Sequence, residues 1–225
     1  MEDTISLGDI ERLGLDPSLP YHIWCTDVEK TTELISVARL QNVTILSTSQ
    51  GLLDSSSGFI TNCGELKKIH FILPFVTAIG DSWLFFCRNL KEVSFDLANL
   101  ENVGSRWLSW SGCDNMDTIK FDGLPRLIDV KDYWMRYCMV SDVDFVGLRN
   151  LKGVGDDWLA LSPNLTMPQF DGLKDLESVG DRWMYSCKNL TAPNFRGVDS
   201  LKHVGEDLME KCPKIADPSM YRVQL

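Results

Sequence analysis

The sequence repeats itself, and the repeat limits what the chain can fold into. Ile79-Gly80-Asp81-Ser82-Trp83-Leu84 returns as Val154-Gly155-Asp156-Asp157-Trp158-Leu159 and as Val179-Gly180-Asp181-Arg182-Trp183-Met184. The glycine position is held by Gly80, Gly104, Lys131, Gly155, Gly180 and Gly205, at spacings of 24, 27, 24, 25 and 25 residues. Ser56 opens a more degenerate unit 24 residues before Gly80. Three residues after the glycine runs an aromatic column with Trp83, Trp107, Trp134, Trp158 and Trp183, preceded by Phe59 and followed by Leu208. Beside it runs a Leu/Met column, then Cys63, Cys87, Cys113, Cys138, Ser162, Cys187 and Cys212. A last column holds Phe71, Phe95, Phe121, Phe145, Phe170 and Phe195.

Each column implies a local structure. The stretch L-x-x-V-x-F ends in apolar alternation and predicts a short strand. Gly123, Gly147, Gly172 and Gly197 follow two residues after the Phe and predict a turn. The next L-x-x-V carries the chain across the top of the core. Asp81, Asp132, Asp156 and Asp181 then stand where a helix N-cap belongs, and Trp, Leu/Met and Cys follow at i, i+1, i+4 on one buried helical face. One such unit cannot bury its apolar face alone, but stacked units bury a continuous core. The fold class expected is an α/β repeat solenoid of about six repeats of 24–27 residues, with short parallel strands on one side and short helical turns on the other.

The order G-D-x-W-[LM]-x-x-C-x-x-L-x-x-V-x-F resembles the leucine-rich repeat superfamily, and within it the BspA-like class, first known from bacterial and protozoan surface proteins. The resemblance covers residues 56–216 on six copies. Variants with Gly-Asp-x-Trp-Leu-x-x-Cys look similar to repeat proteins of kinetoplastid protists. The units here are slightly longer, and Trp replaces the usual small-plus-Phe pair. The resemblance implies a recognition or interaction protein.

Outside the repeat, residues 1–55 read as an N-terminal cap, with a degenerate unit signalled by Leu40-Gln41-Asn42-Val43, which echoes Leu100-Glu101-Asn102-Val103. Residues 9–13, closed by Gly14, suggest one helical turn. Thr26-Asp27-Val28-Glu29 suggests a capping box opening a helix toward Leu40. The solenoid spans 56–212. Residues 213–225 read as the C-terminal cap, with Ile215, Met220, Tyr221, Val223 and Leu225 for covering.

The formal charge is −10 at pH 7, which disfavours a nucleic-acid partner. No apolar run has membrane-span length. The start is acidic rather than basic, and seven Cys cannot all pair internally, so the chain reads as cytoplasmic or otherwise intracellular with reduced thiols. Three Asn-x-Thr triplets, at Asn42, Asn164 and Asn189, could accept glycans if the chain were exported.

No catalytic, metal or cofactor constellation emerges. His22, His70 and His203 lie in no ligand motif, and neither a nucleophile elbow nor a phosphate loop is found. The Cys column reads as a buried ladder, the Asp column as caps rather than calcium ligands, and the Trp column as core rather than a sugar platform. Function then falls to surface columns. On the strand side these are Lys68, Glu92, Thr118, Asp142, Met167 and Ala192, and His70, Ser94, Lys120, Asp144, Gln169 and Asn194. On the helical side it is Phe86, Trp110, Tyr137 and Leu161, with Trp110 the one repeat-region Trp outside the ladder. The expected function is a non-catalytic scaffold that binds a protein partner. The alternative is a BspA-like surface or secreted adhesin.

Overall fold

The computed structural model describes residues 14, 16–47, 51, 53–54, 56–112, 116, 118–141 and 143–215. Within these, the chain winds as a solenoid whose turns build two parallel sheets. Sheet A holds β1 (Pro20–Trp24), β2 (Asn42–Leu46), β3 (Lys68–Ile72), β5 (Glu92–Asp96) and β7 (Thr118–Lys120), in that spatial order. Sheet B holds β4 (Ala78–Ile79), β6 (Asn102–Val103), β8 (Asp129–Val130), β9 (Gly153–Val154), β10 (Ser178–Val179) and β11 (His203–Val204). The strand predicted from L-x-x-V-x-F is β3 and β5, where Ile69, Phe71, Val93 and Phe95 point inward. The second L-x-x-V does more than cross the core, because its last two residues pair from turn to turn and make sheet B. Later units lose sheet A. Pro168 and Pro193 stand where Val93 stands and have no N–H to give, and among the described residues a Gln169–Asn194 bridge is what remains.

Residues 20–46 form a strand–helix–strand unit on the edge of sheet A. The helix α1 (Val28–Val37) buries Thr31, Leu34 and Ile35. Its N-cap is Asp27, whose carboxylate accepts from the Lys30 N–H at 2.9 Å, one residue later than the capping box predicts. The echo between Leu40–Val43 and Leu100–Val103 is one of pattern and not of place. Val43 pairs with Ile69 in sheet A, whereas Val103 pairs with Ile79 and Val130 in sheet B. Residues 9–13 lie outside the described residues, as do Met220, Tyr221, Val223 and Leu225, while Ile215 is buried.

The predicted helical turns are not helices. Every second residue of the run lies in the left-handed region: Ser82 (φ 65°), Leu84 (56°) and Phe86 (62°), then Arg106, Leu108 and Trp110, and so on to Lys211. Their N–H groups therefore point along the rod rather than back along the chain. Ser82 donates to Ser105 of the next turn (2.7 Å), Leu84 to Phe59 of the previous one (3.1 Å), and Phe86 to Ser109 of the next (3.0 Å). The aspartates do not cap their own turn either. Asp81 Oδ1 accepts from Ser105 N, Asp132 from Asp156 N, Asp156 from Asp181 N and Asp181 from Glu206 N, at 2.8–3.0 Å. The glycine beside each aspartate leaves room for this rung. A Cβ at Gly180 would come within 2.7 Å of the Asp156 nitrogen.

The core is an aromatic double spine. Trp107, Trp134, Trp158 and Trp183 stack with ring centroids 5.0–5.6 Å apart and planes within 8°. The phenylalanines stack alongside from Phe71 to Phe195 at 5.6–6.1 Å, and each Trp from 107 on meets the Phe column, mostly edge-on. Trp83 begins the series edge-on to Phe59 and donates its indole N–H to the Ser56 carbonyl at 2.7 Å. Among the described residues, the buried indole N–H groups of Trp107, Trp134, Trp158 and Trp183 have no acceptor in range. All five tryptophans are fully buried, whereas Phe195, in the last Phe turn, is half-buried.

Two measurements check this architecture. Trp158→Ala is expected to cost about 3–5 kcal/mol in chemical denaturation, and an unshifted midpoint would remove Trp158 from the core. Ser186, half-buried at φ 56°, separates the two turn geometries by sign. Ser186→Gly is expected to raise stability by about 0.5–1 kcal/mol, because a left-handed non-glycine residue costs about 1–2 kcal/mol. In a helix the same change would lower stability by a similar amount.

Candidate interaction surface

The turn run places residues 82–86 and their equivalents on a third face of the rod. Trp83 and Leu84 turn inward, and the positions on either side turn outward. Stacking of turns then brings equivalent outward residues side by side. Phe86, Trp110, Tyr137 and Leu161, predicted as a column, are all half-buried and adjacent in this way. Trp110 stacks on Tyr137 with centroids 4.0 Å apart and planes 15° off parallel. Phe86 lies 6.3 Å from Trp110, and Phe85 extends the cluster at 5.9 Å from Phe86. The column is thus a continuous aromatic stripe on the outside of the rod.

Arginines accompany the stripe, and the column reading missed them because they sit at three different offsets from the glycine. Arg88 lies over the Phe86 ring at 3.9 Å, and Arg106 and Arg136 lie over Tyr133 at 5.6 and 5.8 Å. Further along the rod, Arg182 makes two bonds to the buried Asp157 carboxylate, at 2.9 and 3.1 Å, with Arg136 Nε 3.7 Å from its other oxygen. Hydrogen bonding to Asp157 pushes the Arg182 guanidinium pKa further up.

The strand-side columns are polar and largely engaged with each other. Lys68 pairs with Glu92 at 2.9 Å, His70 Nε2 lies 3.3 Å from Asp96, and Asn194 donates to Gln169 at 2.6 Å. Ser94 sits in register between His70 and the backbone of Lys120. The side chains of Thr118 and Lys120, and all of Asp142, lie outside the described residues. Asp144 and Val143 belong to no strand of sheet A; the Asp144 carboxylate accepts from the Val146 N–H instead. Met167 and Ala192 are exposed. On sheet B a shallow cleft of about 430 Å³ is lined by Lys152, Asp175, Glu177 and Lys202. Lys202 bonds Glu177 at 2.7 Å and holds its carboxyl below the usual range. Such a solvated ion pair contributes little to stability.

The Cys/Ser column is a hydrogen-bonding device. From Cys87 on, the Sγ–H or Oγ–H groups of Cys87, Ser162, Cys187 and Cys212 donate to the Leu/Met-column carbonyl of the preceding turn, and backbone N–H groups of one turn donate to the column atom of the next. Cys87 donates to Ile60 (3.0 Å), Ser162 to Met135 (3.3 Å), Cys187 to Leu159 (3.2 Å) and Cys212 to Met184 (3.1 Å). The N–H groups of Cys87, Cys138 and Cys187 donate to Ser111, Ser162 and Cys212. Ser111 also donates to Leu84, so it, and not Cys113, fills the column. The extra residues of that unit therefore follow Ser111, and Trp110 is in step with Phe86. Cys113 itself lies outside the described residues. The sequon asparagines are bound too: Asn42, Asn164 and Asn189 donate through Nδ2 to the Ser18, Met139 and Pro163 carbonyls.

Among the described residues, six cysteines stand as buried free thiols. Hydrogen bonding with the Cys212 thiol, and then burial, pushes the Cys187 thiol well up. Maleimide labelling at pH 8, mapped by mass spectrometry, is expected to spare Cys87 and Cys187 in the native protein and reach both in urea. Equal labelling rates in the two conditions would contradict the ladder.

Comparison with known proteins agrees with this geometry. The family model described as BspA type leucine rich repeat region matches in six copies over residues 36–139 and 98–216. No curated protein and no solved structure matches the chain. Among the described residues, no helix is long and apolar enough to cross a membrane. With its matched repeats covering most of its length, the chain belongs to the BspA-type leucine-rich repeat family.

Proposed function

We propose that this protein is a non-catalytic scaffold inside the cell that holds another protein against its turn face. The observation that carries this reading is the stripe of Phe86, Trp110 and Tyr137. It puts stacked, half-buried rings on the outside of a rod whose other aromatic columns face the core. Aromatic side chains with arginine neighbours are the groups that dominate protein–protein contacts. The strand-side columns offer less, because their polar groups already satisfy one another. The repeat family supports an interaction role, and the rod's polar groups serve to tie turn to turn. The buried free thiols suit a reducing compartment.

A photo-crosslinking residue placed at position 110 is expected to capture a partner in the native cell, and one placed at position 94 on sheet A is not. Trp110→Ala is expected to cost about 2 kcal/mol or more of partner affinity. It should cost only about 0.5–1.5 kcal/mol of stability, the worth of one aromatic pair. Parallel losses of affinity and stability would make Trp110 merely structural. The BspA-type match also favours a second reading, a surface recognition protein. Biotinylation of intact cells separates the two, since labelling of this chain from outside would replace the intracellular scaffold by the surface one.

A further inference from the structure

The turn face is not uniform along the rod. Toward its N-terminal end it carries the rings and the stacked arginines, Arg88 over Phe86 and Arg106 and Arg136 over Tyr133. No carboxylate lies in ion-pair range of Arg88 or Arg106 among the described residues. Toward the C-terminal end the same columns hold Asp157, buried against Arg182, then the exposed Asp207 and Glu210 with Glu206 beside them, and Lys211 over the Tyr185 ring. In a chain of net charge −10, the ringed patch thus presents two guanidinium groups that no described carboxylate pairs.

We infer that this patch docks an extended acidic segment of another protein, seating an apolar side chain on the Trp110–Tyr137 stack and carboxylates on Arg88 and Arg106. The inference rests on the reading that the turn face is the contact surface. The geometry suits a peptide. Three successive turns place Phe86, Trp110 and Tyr137 over about 10 Å, the reach of about three residues of extended chain. Arg106 precedes the stripe in its turn and Arg88 follows it in the turn before, so charge flanks the rings on both sides. Guanidinium groups already laid against rings lose little freedom on meeting a carboxylate, and they bind it in two-pronged fashion. A second copy of the chain fits poorly, because a patch this small is a fraction of the roughly 800 Å² that each partner of a stable dimer buries. A nucleic acid running along the face would meet Glu206, Asp207 and Glu210.

The test uses the full chain and two fluorescein-labelled peptides, one with Asp and Glu around a central Leu-Phe pair and a twin with Lys in place of the acids. In anisotropy titrations the acidic peptide is expected to bind in the micromolar range, more tightly at low salt, and the twin not to bind. Arg106→Glu, an exposed change, is expected to weaken binding about tenfold or more, as is Trp110→Ala. Unchanged affinity in Arg106→Glu, equal binding of the twin, or no saturation by about 1 mM overturns the inference. Sequencing the native segment crosslinked at position 110 separates the two levels. An acidic segment supports the inference. A basic or neutral one sinks it while leaving the turn face as the contact surface. Capture at position 94 alone sinks both.

Discussion

Stacking of like on like between successive turns is the interaction on which the rest of this molecule depends. Each turn from Trp83 to Phe195 has one indole and one phenyl ring facing inward, and the atoms that cover them belong to the turns before and after. Near-parallel rings at 5.0–5.6 Å demand that equivalent residues sit almost directly above one another. That demand fixes the register of both sheets, because a slip of one residue would expose every ring. It also has a cost. Among the described residues, four buried indole N–H groups lack an acceptor, each worth about 1–3 kcal/mol against folding. Burying a ring that removes 150–250 Å² of surface from water, at about 25 cal/mol per Å², outweighs it.

The turn geometry follows from the same stacking. A helical turn would satisfy its N–H groups four residues back and leave the neighbouring turns with unpaired carbonyls. Alternating left-handed residues instead send successive N–H groups up and down the rod, as Ser82, Leu84 and Phe86 do. Side chains join in wherever a column can hold a small donor–acceptor. The Asp rung, the Cys/Ser rung and the asparagine amides each bond a turn to its neighbour. The columns are coupled through space. Asp carboxylates crowd the following glycine, so glycine is required after Asp81, Asp132, Asp156 and Asp181. Ser105 breaks the Asp series, and Lys131 in the next turn is the one departure from glycine among the six.

What could be read in the sequence was whatever repeats with a fixed side-chain identity. The Trp and Phe columns named the inside of the rod, and Phe86, Tyr137 and Leu161 with Trp110 near them already stood as one outward column in the sequence. The second sheet was less legible, since two-residue strands such as Ala78–Ile79 carry no alternation to detect. The helical turn was a misreading with a physical origin. Trp83, Leu84 and Cys87 at i, i+1, i+4 suit a helical face, and alternating backbone signs turn the same residues inward. Cys113 was matched to its column by identity, while Ser111 holds the place by geometry, because the rung needs a small group that both donates and accepts. The arginines escaped notice because Arg88, Arg106 and Arg136 share no column, and only the rings they stack on bring them together.

This division between inside and outside bears on how the rod can recognise anything. On the turn face the main-chain N–H groups are spent between turns, so a partner meets chiefly side chains there. Those side chains stand on a backbone held from both neighbouring turns, and the rings among them are already stacked. Little conformational freedom remains to be lost when a partner arrives, which is the condition under which a small patch can still bind specifically. Sequence change in the outward columns leaves the stacking beneath untouched. A rod of this kind can therefore alter what it binds, residue by residue, while the spine that folds it stays the same.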